Sequence, residues 1–260
     1  MQEYRTKETY GDFYENEGKP LVVILGGSRS GLPSPLSEHL LDYLKQNYNV
    51  LLLAYFGVGD LPKTLESISM EYFVNAISFV KEKHKIADNQ VVLIGQSKGG
   101  EAALLLSNYM ESAITIACVP SCYVFQGLPV TPSNMKSPKS SWSFNNYDLP
   151  YIKFYLDKNA MEEAEKKNYC KCYEMSIENN LNKDALININ NYKGKILLLS
   201  AENDNYWPSK KMSNILVKNS NNKENINHIV LELEGHYFLN YKQSVNEIIN
   251  FLKINATFLA

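Results

Sequence analysis

Gly95-Gln96-Ser97-Lys98-Gly99 sets a serine between two glycines, with the apolar run Val91–Ile94 leading in and an Ala/Leu-rich stretch from about Ser97 to Tyr109 leading out. A serine on a tight strand-to-helix turn stands with its Oγ above the end of a sheet, and the flanking glycines let the turn close without side-chain clashes. Those are the requirements of an exposed nucleophile. The start of the following helix adds unpaired N–H groups and a positive dipole end, which suit a developing oxyanion.

A hydroxyl at its ordinary pKa attacks weakly, so Ser97 needs a base and the base needs an orienting acid. The chain has four histidines, at 39, 84, 228 and 236. His39 and His84 precede the serine inside predicted helices, whereas the partners of this motif follow it, acid first and base last. His228 precedes the predicted strand Ile229–Leu233, which puts it at the bottom edge of a sheet. His236 follows that strand in Glu234-Gly235-His236-Tyr237, on a top-edge loop, and is the expected base. The acid belongs after a strand between Ser97 and His236. Asp204 lies a few residues beyond the predicted strand Ile196–Leu199, just ahead of Trp207-Pro208, and is preferred to its competitor Glu202.

Two backbone N–H groups are needed for the oxyanion. One is that of Lys98; the other is expected from Gly27 or Ser28, in the loop Gly26-Gly27-Ser28-Arg29-Ser30-Gly31. That loop fits neither phosphate-binding glycine pattern, so nucleotide hydrolysis is not expected. The side chains of Lys98 and Arg29 are read as solvated surface charges in preference to contacts with an anionic substrate.

The elements that must carry these residues are legible as a series. The apolar runs Leu21–Leu25, Val50–Tyr55, Val91–Ile94, Ala113–Cys118, Ile196–Leu199 and Ile229–Leu233 alternate with helical patterns at Leu36–Tyr48, Met70–Val80, Ser97–Tyr109, Ser209–Val217 and Ser244–Lys253. Continuous apolar strands alternating with amphipathic helices predict an α/β protein, a mostly parallel sheet with helices on both faces. One domain over residues 1–260 is expected. Residues from about 120 to 191 interrupt the alternation with a proline- and aromatic-rich half and then a charged, helix-prone half from about 159 to 180. Connections of that length usually carry function, and this one is read as a cap over the sheet's C-terminal edge.

Composition narrows the classes. The chain has 260 residues, 26 Lys+Arg against 28 Asp+Glu, a formal charge of −2 and 45% hydrophobic residues. It has no basic block suited to nucleic acid, and no apolar run long enough to span a bilayer. No secretion signal is visible at the N-terminus, so a cytoplasmic protein is expected. Cys118, Cys122, Cys170 and Cys172 match no usual zinc spacing and are read as free thiols; no metal or cofactor is expected. The sequon Asn255-Ala256-Thr257 is read as accidental.

Several stretches together resemble one family. Leu53-Ala54-Tyr55-Phe56, Asp60-Leu61-Pro62-Lys63-Thr64-Leu65-Glu66 and Glu71-Tyr72-Phe73 precede Gly95-Gln96-Ser97-Lys98-Gly99-Gly100-Glu101, Asp204-Asn205-Tyr206-Trp207 and Gly235-His236-Tyr237. This pattern is similar to the C-terminal catalytic domain of the acyl-CoA thioester hydrolase and bile acid-CoA:amino acid N-acyltransferase family. The resemblance implies an α/β-hydrolase fold and a Ser97–Asp204–His236 triad acting on an acyl-CoA thioester. Animal members carry a further N-terminal β-sandwich domain for which this chain has no room, so what that domain supplies is expected to be absent or replaced. Members that conjugate bile acids use cysteine where this chain has Ser97, and an oxygen ester is less readily attacked by an amine than a thioester. Hydrolysis of a small-molecule acyl-CoA is therefore the first expectation. A carboxylesterase or dienelactone-type hydrolase, an acyl-CoA-dependent acyltransferase and a catalytically silent binding protein are the alternatives.

Overall fold

Each apolar run in the first half of the chain becomes a short strand whose every side chain is buried, because helices cover the sheet on both faces. A computed structural model describes residues 1–259. The chain opens with an antiparallel pair, β1 (Gln2–Arg5) and β2 (Tyr10–Tyr14), then β3 (Leu21–Leu25), α1 (Glu38–Asn47), β4 (Asn49–Leu53), the short β5 (Ile68–Ser69) and α2 (Met70–His84). Next come β6 (Val91–Gln96), α3 (Lys98–Leu106) and β7 (Ile114–Cys118). The long connection holds α4 (Pro132–Lys136), β8 (Trp142–Phe144), β9 (Tyr147–Asp148), α5 (Lys158–Glu165) and α6 (Tyr169–Asn180). The chain closes through β10 (Lys195–Asn203), α7 (Ser209–Asn219), β11 (Ile226–Glu234) and α8 (Lys242–Ile254).

Among the described residues the main sheet has eight strands, in the order β1-β2-β4-β3-β6-β7-β10-β11. From β4 to β11 all pairings are parallel, and β1 and β2 add an antiparallel edge. Alternate side chains of β3 separate into two cores. Leu21, Val23 and Leu25 pack with Phe73 and Ile77 of α2, Leu104 of α3 and Met212 of α7; Val22 and Ile24 pack with Leu40 and Leu44 of α1 and Ile248 and Leu252 of α8. Helix starts follow local chemistry: Ser37 and Ser69 cap α1 and α2 by accepting the N–H of Leu40 and Tyr72. Among the described residues no helix is long and apolar enough to cross a membrane.

Three features depart from the sequence reading. The β1–β2 pair lies in a polar stretch that carries no strong apolar run. Strand β11 begins at Ile226, so His228 lies inside it rather than ahead of it, opposite Leu198 of β10. The helix-prone stretch is two helices, α5 and α6, parted where Lys167 takes a positive φ of 61°.

All the parallel strands point the same way, so the loops after β3, β6, β10 and β11 meet at one edge. Strand β6 sits between β3 and β7, with Gly95 opposite Leu25 on one side and Ala117 on the other. Helix α3 then turns back so closely that a Cβ on Gly95 would stand 2.0 Å from the Gly99 carbonyl oxygen, and one on Gly99 would stand 2.2 Å from that of Gly26. Both obstacles are backbone, which cannot rotate away. Gly95→Ala is therefore expected to lower the unfolding free energy by about 3 kcal/mol, read from urea melts; a loss under 0.5 kcal/mol would mean that strand and helix are not in the contact described.

Candidate active site

Ser97 takes a backbone conformation that side-chain-bearing residues rarely adopt, φ 58° and ψ −122°. It is held there by its N–H, which donates to the Cys118 carbonyl at 2.9 Å, and by its carbonyl, which accepts the Glu101 N–H at 3.0 Å. Strain of this kind persists only where the surroundings over-determine it. The side chain is 7% exposed and lines a cavity of about 740 Å³ at the C-terminal edge of the sheet.

The loops after β10 and β11 bring Asp204 and His236 together. Strand β10 runs to Asn203, further than its apolar core suggests, so Asp204 follows it directly. The Asp204 carboxylate accepts from His236 Nδ1 at 2.8 and 2.9 Å, and its Oδ1 also accepts the Tyr206 N–H at 2.9 Å. A carboxylate is an acceptor only, so the proton of the neutral imidazole lies on Nδ1 and Nε2 is left as the acceptor. The ring is buried: Tyr206 stacks on it at 4.9 Å, and Trp207 meets it edge-on at 5.4 Å while donating its indole N–H to the Val119 carbonyl. His236 lines the same cavity as Ser97. Among the described residues no hydrogen bond joins Ser97 Oγ to the ring.

Gln96 ties the serine turn to the histidine loop, its Oε1 accepting the Leu239 N–H at 2.9 Å. Glu202 stays outside, its carboxylate paired with Lys210 at 2.6 Å and both side chains half-exposed. His39 and His84 lie on α1 and α2, where His84 meets Glu15 at 2.8 Å. His228 points its Nε2 at Ser200 Oγ, 3.0 Å away. Gly27 lies against the serine: a Cβ there would stand 3.1 Å from Ser97 Cβ and 3.6 Å from its Oγ. Ser28 lines the cavity. All four cysteines are free thiols, and no cluster of potential metal ligands occurs among the described residues.

The family model described as BAAT / acyl-CoA thioester hydrolase C terminal matches residues 68–240, two thirds of the chain. The chain belongs to that family. The matched stretch contains Ser97, Asp204 and His236, while Gly27 and Ser28 precede it. Human acyl-coenzyme A thioesterase 6 is 29% identical over 120 residues, covering 46% of this chain and 28% of that protein. Mouse acyl-coenzyme A amino acid N-acyltransferase 1 is 26% identical over 190 residues, covering 73% and 40%. The chain thus spans less than half the length of these relatives. Among solved structures, an esterase of Pyrococcus furiosus superposes with a TM-score of 0.59 at 15% identity over 95% of this chain and 86% of that one. A lipase-esterase related protein of Clostridium acetobutylicum gives 0.57 at 19% identity, with 94% and 99% covered. At such identities the likeness establishes the α/β-hydrolase fold.

Within that fold, the surroundings of the serine hold one surprise. Lys98 is not a solvated charge; it is 1% exposed. Its ammonium lies 3.0 Å from the carboxylate of Glu101, one helical turn on and wholly buried, and donates to Ser141 Oγ at 2.9 Å. The Trp142 indole N–H donates to the same carboxylate at 2.7 Å. Burial pushes the Lys98 ammonium pKa down and the Glu101 carboxyl up, each opposed by the attraction of the other. Sequence reasoning missed this because Ser141 and Trp142 arrive from the long connection; the i, i+3 spacing of Lys98 and Glu101 was the available sign. Arg29 does lie at the surface, over the Tyr237 ring at 5.4 Å.

Two expectations arise from these environments. Breaking a buried pair leaves one uncompensated charge, so Lys98→Met and Glu101→Leu singly should each destabilise by about 3–5 kcal/mol, and the double variant should recover most of that. Additive losses in a double-mutant cycle of urea melts would show that the two charges are not coupled. Burial, with a smaller contribution from Lys210, lowers the His228 pKa. The unfolded chain then binds more protons below about pH 6.5, so stability falls as pH drops through that window towards the lowered value. His228→Gln should make this acid-side decline shallower; an unchanged slope would remove His228 as its source.

Proposed function

We propose that this chain is a serine hydrolase that cleaves acyl-CoA thioesters to a free acid and CoA, with Ser97 as nucleophile, His236 as base and Asp204 as its orienting acid. The observation that carries the reading is the Asp204–His236 hydrogen bond, whose ring lines one cavity with Ser97 in a chain of this family. Residues 120–191 act as a cap on a single α/β-hydrolase domain. Leu128, Phe154, Leu156, Met161 and Tyr173 from this segment line the cavity and give it an apolar wall suited to an acyl chain.

In the reaction, His236 Nε2 takes the hydroxyl proton as Ser97 Oγ bonds to the thioester carbon. The carbonyl oxygen becomes an oxyanion facing the N–H groups of Lys98 and of Gly27 or Ser28. Lys98 N–H belongs to the first turn of α3, where no carbonyl within the helix is available to it. When the carbonyl re-forms, the C–S bond breaks and the thiol leaves with the proton from His236. Water then enters, its oxygen bonds to the acyl carbon as His236 removes its proton, and the acyl–oxygen bond to Ser97 breaks as His236 passes that proton to Oγ, which releases the acid and restores the hydroxyl. Asp204 keeps the ring in the tautomer that receives at Nε2 and favours its protonated form between these transfers.

Acyl transfer to an amine is the second reading, favoured by the relatives named for N-acyl transfer. Release of free thiol from a panel of short to long acyl-CoAs, with and without glycine or taurine, separates the two. Thiol and free acid should appear in equal amounts whether or not the amine is present. Ser97→Ala should lower kcat by about a millionfold, and Asp204→Asn by about ten-thousandfold. A Ser97→Ala protein keeping a tenth of the parent rate would remove the serine from its role. Turnover of aryl esters but not of any acyl-CoA would make the chain a carboxylesterase.

A further inference from the structure

The loop that offers Gly27 and Ser28 is held from behind by a residue that leaves the sheet beside it. Tyr55 lies two residues past the end of β4, is 2% exposed, and points its hydroxyl at two consecutive carbonyls, that of Gly26 at 2.7 Å and that of Gly27 at 2.9 Å. In a planar trans peptide the C=O and N–H point in opposite directions. A donor shared by the carbonyls of Gly26 and Gly27 therefore fixes which way the N–H groups of Gly27 and Ser28 face, on the side away from Tyr55. Gly27 is also the residue that abuts Ser97.

Tyr55 is built to stay where it is. Its ring packs against Phe73 at 5.2 Å, Phe56 at 5.3 Å and Trp142 at 5.7 Å. Burial raises its pKa, helped by the nearby Glu101 carboxylate, so the phenol keeps its proton and donates. Trp142 touches Tyr55 and donates to Glu101, which in turn holds the Lys98 ammonium. One buried cluster thus backs both sources of oxyanion N–H groups, the loop after β3 through Tyr55 and the first turn of α3 through Glu101.

We propose that Tyr55 is a positioning residue for oxyanion stabilisation, its hydroxyl holding the N–H groups of Gly27 and Ser28 towards the oxygen of the carbonyl that Ser97 attacks. This rests on the reading of Ser97 as nucleophile but not on the thioester as substrate. A buried tyrosine hydroxyl with a merely structural partner would affect stability alone; a positioning role affects the step in which negative charge develops on oxygen.

Tyr55→Phe removes one oxygen and keeps the ring. The first readout is the rate at which a fluorophosphonate modifies Ser97: Oγ bonds to phosphorus, fluoride leaves, His236 takes the hydroxyl proton, and the phosphoryl oxygen needs the same N–H donors. The second is kcat and KM on an acyl-CoA and an aryl ester, with the pH–rate profile. In Tyr55→Phe the modification rate and kcat should each fall about 10- to 100-fold, with KM and the pH midpoint unchanged. Ile86→Ala, which removes volume from the same core at the opposite edge of the sheet and keeps the hydroxyl, should retain both rates. Rates in Tyr55→Phe within twofold of the parent would overturn the proposal however far the melting temperature falls, and so would equal losses in Ile86→Ala. A parent modified at Ser97 yet inert towards acyl-CoA would sink only the thioester reading; a parent not modified at Ser97 would sink both.

Discussion

The turn at Ser97 requires a strand and a helix to come closer than side chains allow, and much of the surrounding structure follows from that one approach. Gly95 and Gly99 remove the two Cβ atoms that would strike backbone. With them gone, β6 can pass into α3 within one residue, and Ser97 absorbs the reversal in its own φ and ψ. A strained residue of this kind costs about 1–3 kcal/mol, so the turn must be over-determined by its neighbours. It is: β3 and β7 flank β6 in parallel register, Cys118 receives the Ser97 N–H, and Gln96 binds the backbone of the loop that carries His236. The contact that lifts the serine out of the sheet also brings the loop after β3 alongside it.

A second constraint is electrostatic. Two opposite charges lie buried in the first turn of α3, and burial of either one alone would be prohibitive. Lys98 and Glu101 offset each other, but a carboxylate has more acceptor sites than one ammonium fills. Trp142 and the backbone N–H of Phe125 supply further donors, while Ser141 accepts from the ammonium and passes its own proton on to the Phe125 and Gln126 carbonyls. The pair is thus satisfied only when the segment after β7 is folded against the helix. A hydrophobic pair would pack there without that demand. The charged pair makes the placement of that segment a condition for a stable α3 start.

How much of this could be read in the chain depends on how local its cause is. Strands β3, β4, β6 and β7 are continuous apolar runs because both faces are covered, and that pattern needs no knowledge of their neighbours. The glycine–serine–glycine spacing is equally local, and so is the order of Asp204 and His236 along the chain. What escaped was set by partners distant in sequence. The β1–β2 pair is recruited by the exposed edge of β4 through residues such as Gly11 and Asp12, which have low strand preference of their own. Lys98 reads as a surface lysine until Ser141 and Trp142 arrive over forty positions later. Tyr55 reads as the end of an apolar run, and only the fold shows its hydroxyl reaching back 29 and 28 residues to two carbonyls.

These long-range contacts change how the long connection should be understood. Its apolar side chains line the cavity, which on its own would make it a wall. Yet the same segment contributes Trp142, wholly buried between Tyr55 and Glu101. A wall can change its residues with little consequence for the strands beneath it. A wedge cannot, because its indole satisfies a buried carboxylate and its ring braces the tyrosine beneath the glycine loop. The segment therefore divides into a part that lines the cavity, around Leu128–Val130 and α5, and a part around Ser140–Trp142 that packs into the charged first turn of α3. About ten residues of chain separate Val130 from Ser140, and it is the second part that meets the buried charges of α3, Ser141 at Lys98 and Trp142 at Glu101.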